Sequence, residues 1–411
     1  MIPHWKRKFV LLWVGQAASI LTSMISQYAL IWYLTYSTGS SAVLSVATIA
    51  AMLPQGLLSP FTGAFADRFD RRIIMMAADG AIGLVSLGLV AAAADGYLTT
   101  AAILLALALR SAGSAFHTPC IQAVTPLLAP PEALARCAGW SQGIQTISML
   151  LSPALAALLY EQAPLAWIIA LDTLGAVFAI SGVLLARLPV LRVGALGQKI
   201  RVWADTVDGF RLLRSKRWLW ELCLICALFS LVFMPVSALY PLMSINYFQA
   251  GTQGAALVET IWSVGMLAGS VILGLWGGTR NKIHTMAGSI LLLGITLVLT
   301  GLLPSGAFGA FVILTALMGL SAPFFNAVFT ALIQEKVEGE YLGRVLGLTG
   351  AIMTLASPLG LAASAIFSGR TGLSVWFLIA GAGTLACSAL TLALPSVRQC
   401  GLPSAPPPSK E

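Results

Sequence analysis

Residues 63–72 read GAFADRFDRR, with five charged side chains, Asp67, Arg68, Asp70, Arg71 and Arg72, in ten positions. The flanking runs 42–65 and 73–94 contain one ionisable residue between them, Asp79. About 20 apolar residues cross the ~30 Å hydrocarbon layer of a bilayer. The decamer is therefore a short charged turn between two membrane-spanning segments.

The rest of the chain follows the same rule. Of 411 residues, 58% are hydrophobic and 9% are charged, against about 25% charge in a soluble domain. The short alternating strands of an outer-membrane barrel are missing from the sequence, so the spans read as helices. Turn residues and charges divide the chain into twelve predicted spans: 9–35, 42–65, 73–94, 98–128, 134–160, 164–187, 218–248, 253–277, 283–303, 306–334, 341–367 and 373–395. The fold class expected is an all-α membrane protein with twelve transmembrane helices in two six-helix halves. The first apolar run, to Thr35, exceeds the roughly 7–15 residues of a signal-peptide core and carries Gln16, Ser19, Ser23 and Gln27. It reads as a retained first span.

With both termini placed in the cytoplasm, all but two of the 23 Lys and Arg residues fall in cytoplasmic segments, Arg110 and Arg370 being the exceptions. This asymmetry supports an even number of spans and fixes their direction. It also accounts for the net charge of +8 without nucleic acid, because the basic residues are scattered through short loops. The expected organisation is a first half over 1–187, a cytoplasmic central loop over 188–217, a second half over 218–395 and a disordered cytoplasmic tail over 396–411. Within the loop, VWADTVDGFRLL (202–213) sets Trp203, Val207, Phe210 and Leu213 near one helical face. That pattern fits either an amphipathic helix on the inner membrane surface or a solvated linker. The tail PSAPPPSKE is rich in Pro and Ser. Cys223 and Cys226 lie in an apolar run, LWELCLICALFSLVF, and read as packing residues.

The chain repeats itself at about half its length. Gly63 corresponds to Gly274 of GLWGGTRNK at an offset of 211, and TPCIQAV to APFFNAV, with Pro119 and Pro323 204 apart. ARCAGW corresponds to GRVLGL, with Arg136 and Arg344 208 apart, and SPALAA to SPLGLAA, with Pro153 and Pro358 205 apart. Duplicated units of six spans are parallel, the arrangement of transporters whose halves rock about a central site.

GAFADRFDRR resembles the loop signature of the major facilitator superfamily, Gly-x-x-x-Asp-Arg-x-Gly-Arg-Arg, matching at Gly63, Asp67, Arg68, Arg71 and Arg72. Asp70 replaces the usual glycine, which puts the tight turn in question. WVGQAASILTS, RSAGSAFHTP, AVTPLLAPPEALARCAGWSQ and EYLGRVLGLTG are similar to the macrolide efflux proteins of that superfamily. The resemblance implies a multi-pass protein of the bacterial cytoplasmic membrane that exports amphiphilic drugs, macrolides foremost, by proton-coupled antiport and alternating access. It implies no cofactor, the proton gradient being the energy source. It also implies that Gly63, Asp67, Arg68, Arg71 and Arg72 form a cytoplasmic gate, a charge network that tightens and breaks with the transport cycle. Ser152-Pro153 followed by Ala156-Ala157 is a weakened form of the glycine-rich fifth-span motif of antiporters.

Charged residues within spans are costly and are functional candidates. Arg110 lies about twelve residues into the fourth span and is a candidate for substrate binding or for tuning a nearby acid. Asp172 and Asp79 are the candidate proton carriers, since a carboxyl in apolar surroundings can load and release a proton near neutrality. Glu221 and Glu259 read as interfacial charges, and His117 as a packing residue. The substrate-binding candidates are Phe229, Phe233 and Met234, then Trp262 and Met266, then Phe324, Phe325 and Asn326, with Gln27, Gln142 and Arg110 as polar contacts. Gly265 and Gly269 form a GxxxG packing motif.

Other classes fit less well. No Gly-Lys dipeptide occurs, so the chain holds no phosphate loop of the Walker type. A passive channel or facilitator fits Pro-broken duplicated helices less well than alternating access does. HExxH and GxGD are missing from the sequence, which argues against an intramembrane enzyme. A membrane component working with a separate ATPase partner stays open.

Overall fold

A computed structural model describes residues 4–38, 41–188, 202–367 and 372–401. The described residues are almost entirely helical. The helices are α1 His4–Thr38, α2 Ser41–Arg68, α3 Arg71–Ala94, α4 Thr100–Leu128, α5 Leu134–Gln162, α6 Leu165–Ala186, α7 Val202–Ser215 and α8 Arg217–Leu242. They continue with α9 Gly251–Trp276, α10 Lys282–Leu302, α11 Phe308–Lys336, α12 Leu342–Phe367, α13 Leu373–Ala393 and α14 Pro395–Cys400. Eleven of them are long and apolar enough to cross a membrane. α12, at 26 residues, rises about 39 Å and supplies the twelfth span.

Helices are the only open structure that satisfies its own backbone in lipid, and the hydroxyls obey the same constraint. Ser141, Thr300 and Thr315 each donate to the carbonyl four residues earlier, at 2.8 Å. Pro54 and Pro60 in α2, Pro119 and Pro126 in α4, Pro153 in α5 and Pro323 in α11 lie within continuous helices. Near one of them, Thr62 Oγ1 donates across to Ala115 O of α4 at 2.7 Å. Short polar side chains cap several helix starts. Asp70 accepts from Arg72 N, Thr99 from Ala102 N and Asn281 from Ile283 N.

Two compact units result. The first comprises residues 1–131, 144–209 and 338–351, and the second 132–143, 210–337 and 352–411. In the first, α1 packs on α6, α2 on α4, and α3 on both α4 and α6. In the second, α8 packs on α13, α9 on α11, and α10 on both α11 and α13. The same four pairings recur in register, which is the duplication seen in the sequence. Each unit also takes in the start of the fifth helix of the other repeat: residues 338–351, which include the first turns of α12, and residues 132–143, which include those of α5.

Three expectations change. The tail expected to lack order from 396 begins with helix α14, whose Ser396 Oγ donates to Glu221 Oε2; residues 402–411 lie outside the described residues. α7 is a helix, but its apolar face is partly used by protein. Leu213 is fully buried, and Phe210 meets Trp220 edge-on at 5.7 Å. Phe210 is nonetheless exposed, as a helix on the membrane surface or a solvated linker would allow; the Trp203 side chain lies outside the described residues. Asp70 does not open a strained turn. It sits at φ −61°, ψ 111° and caps α3, so a carboxylate N-cap does the work expected of glycine. The side chains of Ser357 and Pro358, and the residues Arg192, Lys199, Arg201 and Arg370, also lie outside the described residues.

The GxxxG packs as expected. A Cβ on Gly265 would collide with Ala316 O, and one on Gly269 with Leu320 O, both on α11. Without a hydrophobic force between helices in lipid, such backbone approach carries much of the association. Gly269→Leu should therefore cost about 1–3 kcal/mol by overpacking. The expected result is a lower unfolding temperature in detergent, whereas an unchanged one would show that α9 and α11 separate freely.

Candidate functional site

The charged decamer ends α2, turns and starts α3. Asp67 is 1% exposed. Its Oδ1 accepts from Gly343 N at 2.7 Å and its Oδ2 from Arg344 N at 2.9 Å, in the first turn of α12. A carboxylate there meets both unpaired N–H groups and the positive end of the helix dipole. Arg71, 3% exposed, gathers four acceptors: Asp67 Oδ1 (3.2 Å), Ala66 O (3.0 Å), Ala123 O of α4 (2.9 Å) and Gly339 O (2.7 Å). Arg344 Nε lies 3.6 Å from Asp67 Oδ2. Gly63 is the residue that lets the helices meet. Its Cβ would collide with Gly343 O, and a Cβ on Gly343 would stand 2.6 Å from Gly63 O.

The other charges of the decamer face elsewhere. Arg72 pairs with Asp70 at 2.6 Å and donates to Leu188 O at 3.3 Å. Hydrogen bonds from Arg72 hold the Asp70 carboxyl below the usual carboxylate range. Arg68 is half-buried in the last turn of α2. The structure thus joins Gly63, Asp67 and Arg71 to α12, while Asp70 and Arg72 fasten the start of α3.

The second repeat has the seam without the acid. A Cβ on Gly139 would stand 2.8 Å from Gly274 N, one on Gly274 3.0 Å from the Trp140 ring, and Arg136 Nη2 donates to Trp276 O at 3.5 Å. α9 ends at Trp276 on left-handed Gly277 and Gly278, φ 82° and 87°, where α2 in the same register continues to Arg68.

Inside the first unit, the predicted Arg110 and Asp172 come together. Arg110 Nη1 lies 3.1 Å from Asp172 Oδ2, and both residues are buried. Asp172 also accepts from Ser86 Oγ at 2.5 Å and from Ser23 Oγ. Arg110 donates to Ser26 Oγ at 3.1 Å and to Ser23 O at 2.9 Å. One ion pair thus ties α1, α3, α4 and α6. Asp79 does not join it. Asp79 Oδ2 faces His117 Nε2 at 3.5 Å, a partner that a mere packing role for His117 does not include. The sequence carries a signal for it: His117 follows Arg110, and Ser86 follows Asp79, by seven residues, two helical turns on one face.

Inside the second unit, part of the predicted apolar set forms an aromatic cluster. Phe229 stacks on Phe233 at 5.5 Å and meets Phe325 at 4.7 Å, and Phe233 lies 6.2 Å from Trp262. Tyr240, which does not stand out in the sequence, contacts Trp262, Phe311 and Phe377 and shares a 2.6 Å hydrogen bond with Thr315. Phe324 pairs instead with Trp276 at 6.4 Å, because neighbours on a helix point about 100° apart. Asn326 is exposed, and Met234, Met266, Gln27 and Gln142 are half-buried. Glu221 pairs with Arg217 at 2.7 Å, as an interfacial charge would.

The model of the Major Facilitator Superfamily matches residues 12–256 and 230–410. The chain belongs to that superfamily. It is a multi-pass membrane transporter. Macrolide efflux protein A of Streptococcus pyogenes is 45% identical over 390 residues, 92% of this chain and 93% of that one. The Multidrug efflux pump Tap of Mycobacterium tuberculosis is 26% identical over 92% of this chain and 91% of that one. Among solved structures, the human organic anion transporter MFSD10 shares the fold, with a TM-score of 0.75 at 16% identity, covering 95% of this chain and all of that one.

The geometry makes Asp67 the anchor of the start of α12. Removing its charge should cost about 2 kcal/mol, the range for hydrogen bonds to a charged group. In Asp67→Asn, amide exchange at Gly343 and Arg344 should therefore quicken roughly thirtyfold by mass spectrometry. Unchanged protection there would show that the N–H groups are held by something else.

Proposed function

We propose that the chain is an exporter of amphiphilic drugs, macrolides foremost, driven by proton antiport and conferring antibiotic resistance on its host. The observation that carries this reading is the 45% identity to Macrolide efflux protein A across 92% of the chain. The site supports it on two counts. The second unit offers a cluster of aromatic rings, Phe229, Phe233, Trp262 and Phe325, suited to a large apolar cargo. The first unit holds a buried acid, Asp79, facing a histidine, His117, between its helices, the chemistry that coupling to a proton gradient requires. The protein sits in the bacterial cytoplasmic membrane with both termini inside, the direction that its Lys and Arg distribution favours.

Transport proceeds by alternating access. The Asp67–Arg71 network, closed on the first turn of α12, is the cytoplasmic latch. It holds in one state and releases α12 in the other. No ATPase partner is needed in this reading, since the gradient supplies the work.

A drug-sensitive bacterium with and without the protein should differ in retention of a radiolabelled macrolide, several-fold less being kept when the protein is present. A protonophore should erase the difference. Equal retention would refute macrolide export, and a difference that survives the protonophore would refute proton coupling in favour of an ATPase partner. In the same cells Asp67→Asn should lower export several-fold at equal membrane abundance.

A further inference from the structure

Two acids lie buried in the membrane layer of the first unit, and their surroundings are chemically different. Asp172 is held by Arg110, Ser86 and Ser23. A guanidinium does not give up its proton in a protein. Protonating Asp172 would leave the Arg110 cation unpaired in an apolar layer, a heavy penalty. Arg110 and Asp172 thus satisfy one another within a closed pair.

Asp79, 5% exposed, has a different partner. Its Oδ2 faces His117 Nε2 at 3.5 Å without a well-aligned hydrogen bond, and among the described residues neither buried atom has a well-formed one to any other group. Gln16 of α1, 1% exposed, turns its amide to Asp79 and favours the carboxylate, but without a well-formed hydrogen bond, and Trp13 Nε1 one turn before it is buried with no hydrogen bond among the described residues. Buried polar atoms left open are rare in native proteins and call for a reason. Beside this pair stands Gln16 from α1, and from α2 Gln55 donates its amide to Thr118 Oγ1, the next residue after His117, at 3.5 Å. Arg110 lies two turns away on α4, and Asp172 on α6 acts on Asp79 through space. Arg110 and Asp172 are each occupied by the other, whereas Asp79 faces an imidazole.

We propose that Asp79 and His117 together form the proton-carrying site, with Arg110–Asp172 as a fixed structural pair; this assignment rests on the proton-coupled reading above. One proton enters from water on one side, is held between the imidazole and the carboxylate, and leaves to water on the other. The net charge of the pair rises and falls by one, and no other bond changes. Histidine suits the task because its unperturbed titration lies within the physiological range. The 3.5 Å contact sets the two proton-binding atoms side by side.

The test is proton release on drug binding. Purified full-length protein in detergent, weakly buffered near pH 7, receives a macrolide while a pH dye reports protons, and binding is measured in parallel by equilibrium dialysis. Wild type should release protons as it binds. His117→Gln and Asp79→Asn should bind the drug but release at least tenfold fewer protons, whereas Asp172→Asn that still binds the drug should release as many as wild type. Release equal to wild type in both His117→Gln and Asp79→Asn overturns the assignment, as does loss of drug binding in both, which marks the pair as structural. Wild type that binds without releasing any proton overturns the coupled reading itself, so the two failures are distinct. As a second measurement, the wild-type affinity should fall as pH is lowered from about 8 to about 5.5, the range that brackets histidine titration, and His117→Gln should flatten that profile; an equally steep profile counts against the site.

Discussion

Arg110 cannot lose its charge, and it stands in the middle of a membrane span. That single constraint orders the first unit. A lone Arg at a helix centre costs about 2.5–3.5 kcal/mol on insertion scales, and stripping one partner from a buried pair costs about 3–5 kcal/mol. The helices must therefore come together so that Asp172, Ser23, Ser26 and Ser86 surround one guanidinium–carboxylate pair. Apolar side chains cannot do this work, because lipid tails are as apolar as leucine. Polar clamps and close backbone approach decide which helices touch.

The two units repeat one packing scheme with different adhesives. In the first, a buried ion pair with its hydroxyls adds to the apolar clusters that join the helices. In the second, rings are prominent: Tyr240 contacts Trp262, Phe311 and Phe377. Duplication supplied the same four helix pairings, and divergence then filled them with unlike chemistry.

The spans are legible in the sequence because about 20 apolar residues in a row have few places to go except lipid. α3 is expected over 73–94 and runs Arg71–Ala94; α13 is expected over 373–395 and runs Leu373–Ala393. The decamer is legible as a turn, and its Asp67 as a residue with a task beyond topology. Facing is not legible. A membrane helix is apolar all round, so periodicity does not say which side meets protein. Phe324 and Phe325 look alike in the sequence but join different clusters. His117 reads as packing until α3 brings Asp79 to it. α14 is hidden because a Pro- and Ser-rich tail follows directly on its six residues, which dock through Val397 and Ser396.

The latch proposed at Asp67 is unequal between the repeats, and the inequality has a physical reading. Around Asp67 the contacts are hydrogen bonds to N–H groups and a guanidinium. Water can replace each of them, so the net free energy of each bond is only about 0.5–3 kcal/mol. Where the second repeat carries Gly278 in place of Asp67, the seam is Trp140 on Gly274, with Arg136 reaching Trp276 O at 3.5 Å. Packed surfaces of that kind have no solvent substitute for the lost dispersion contacts. A contact that must form and break in every cycle needs a small net free energy and a defined geometry. Asp67 on the first turn of α12 has both, and Gly63 and Gly343 are the residues whose missing side chains let the helix and the carboxylate reach it.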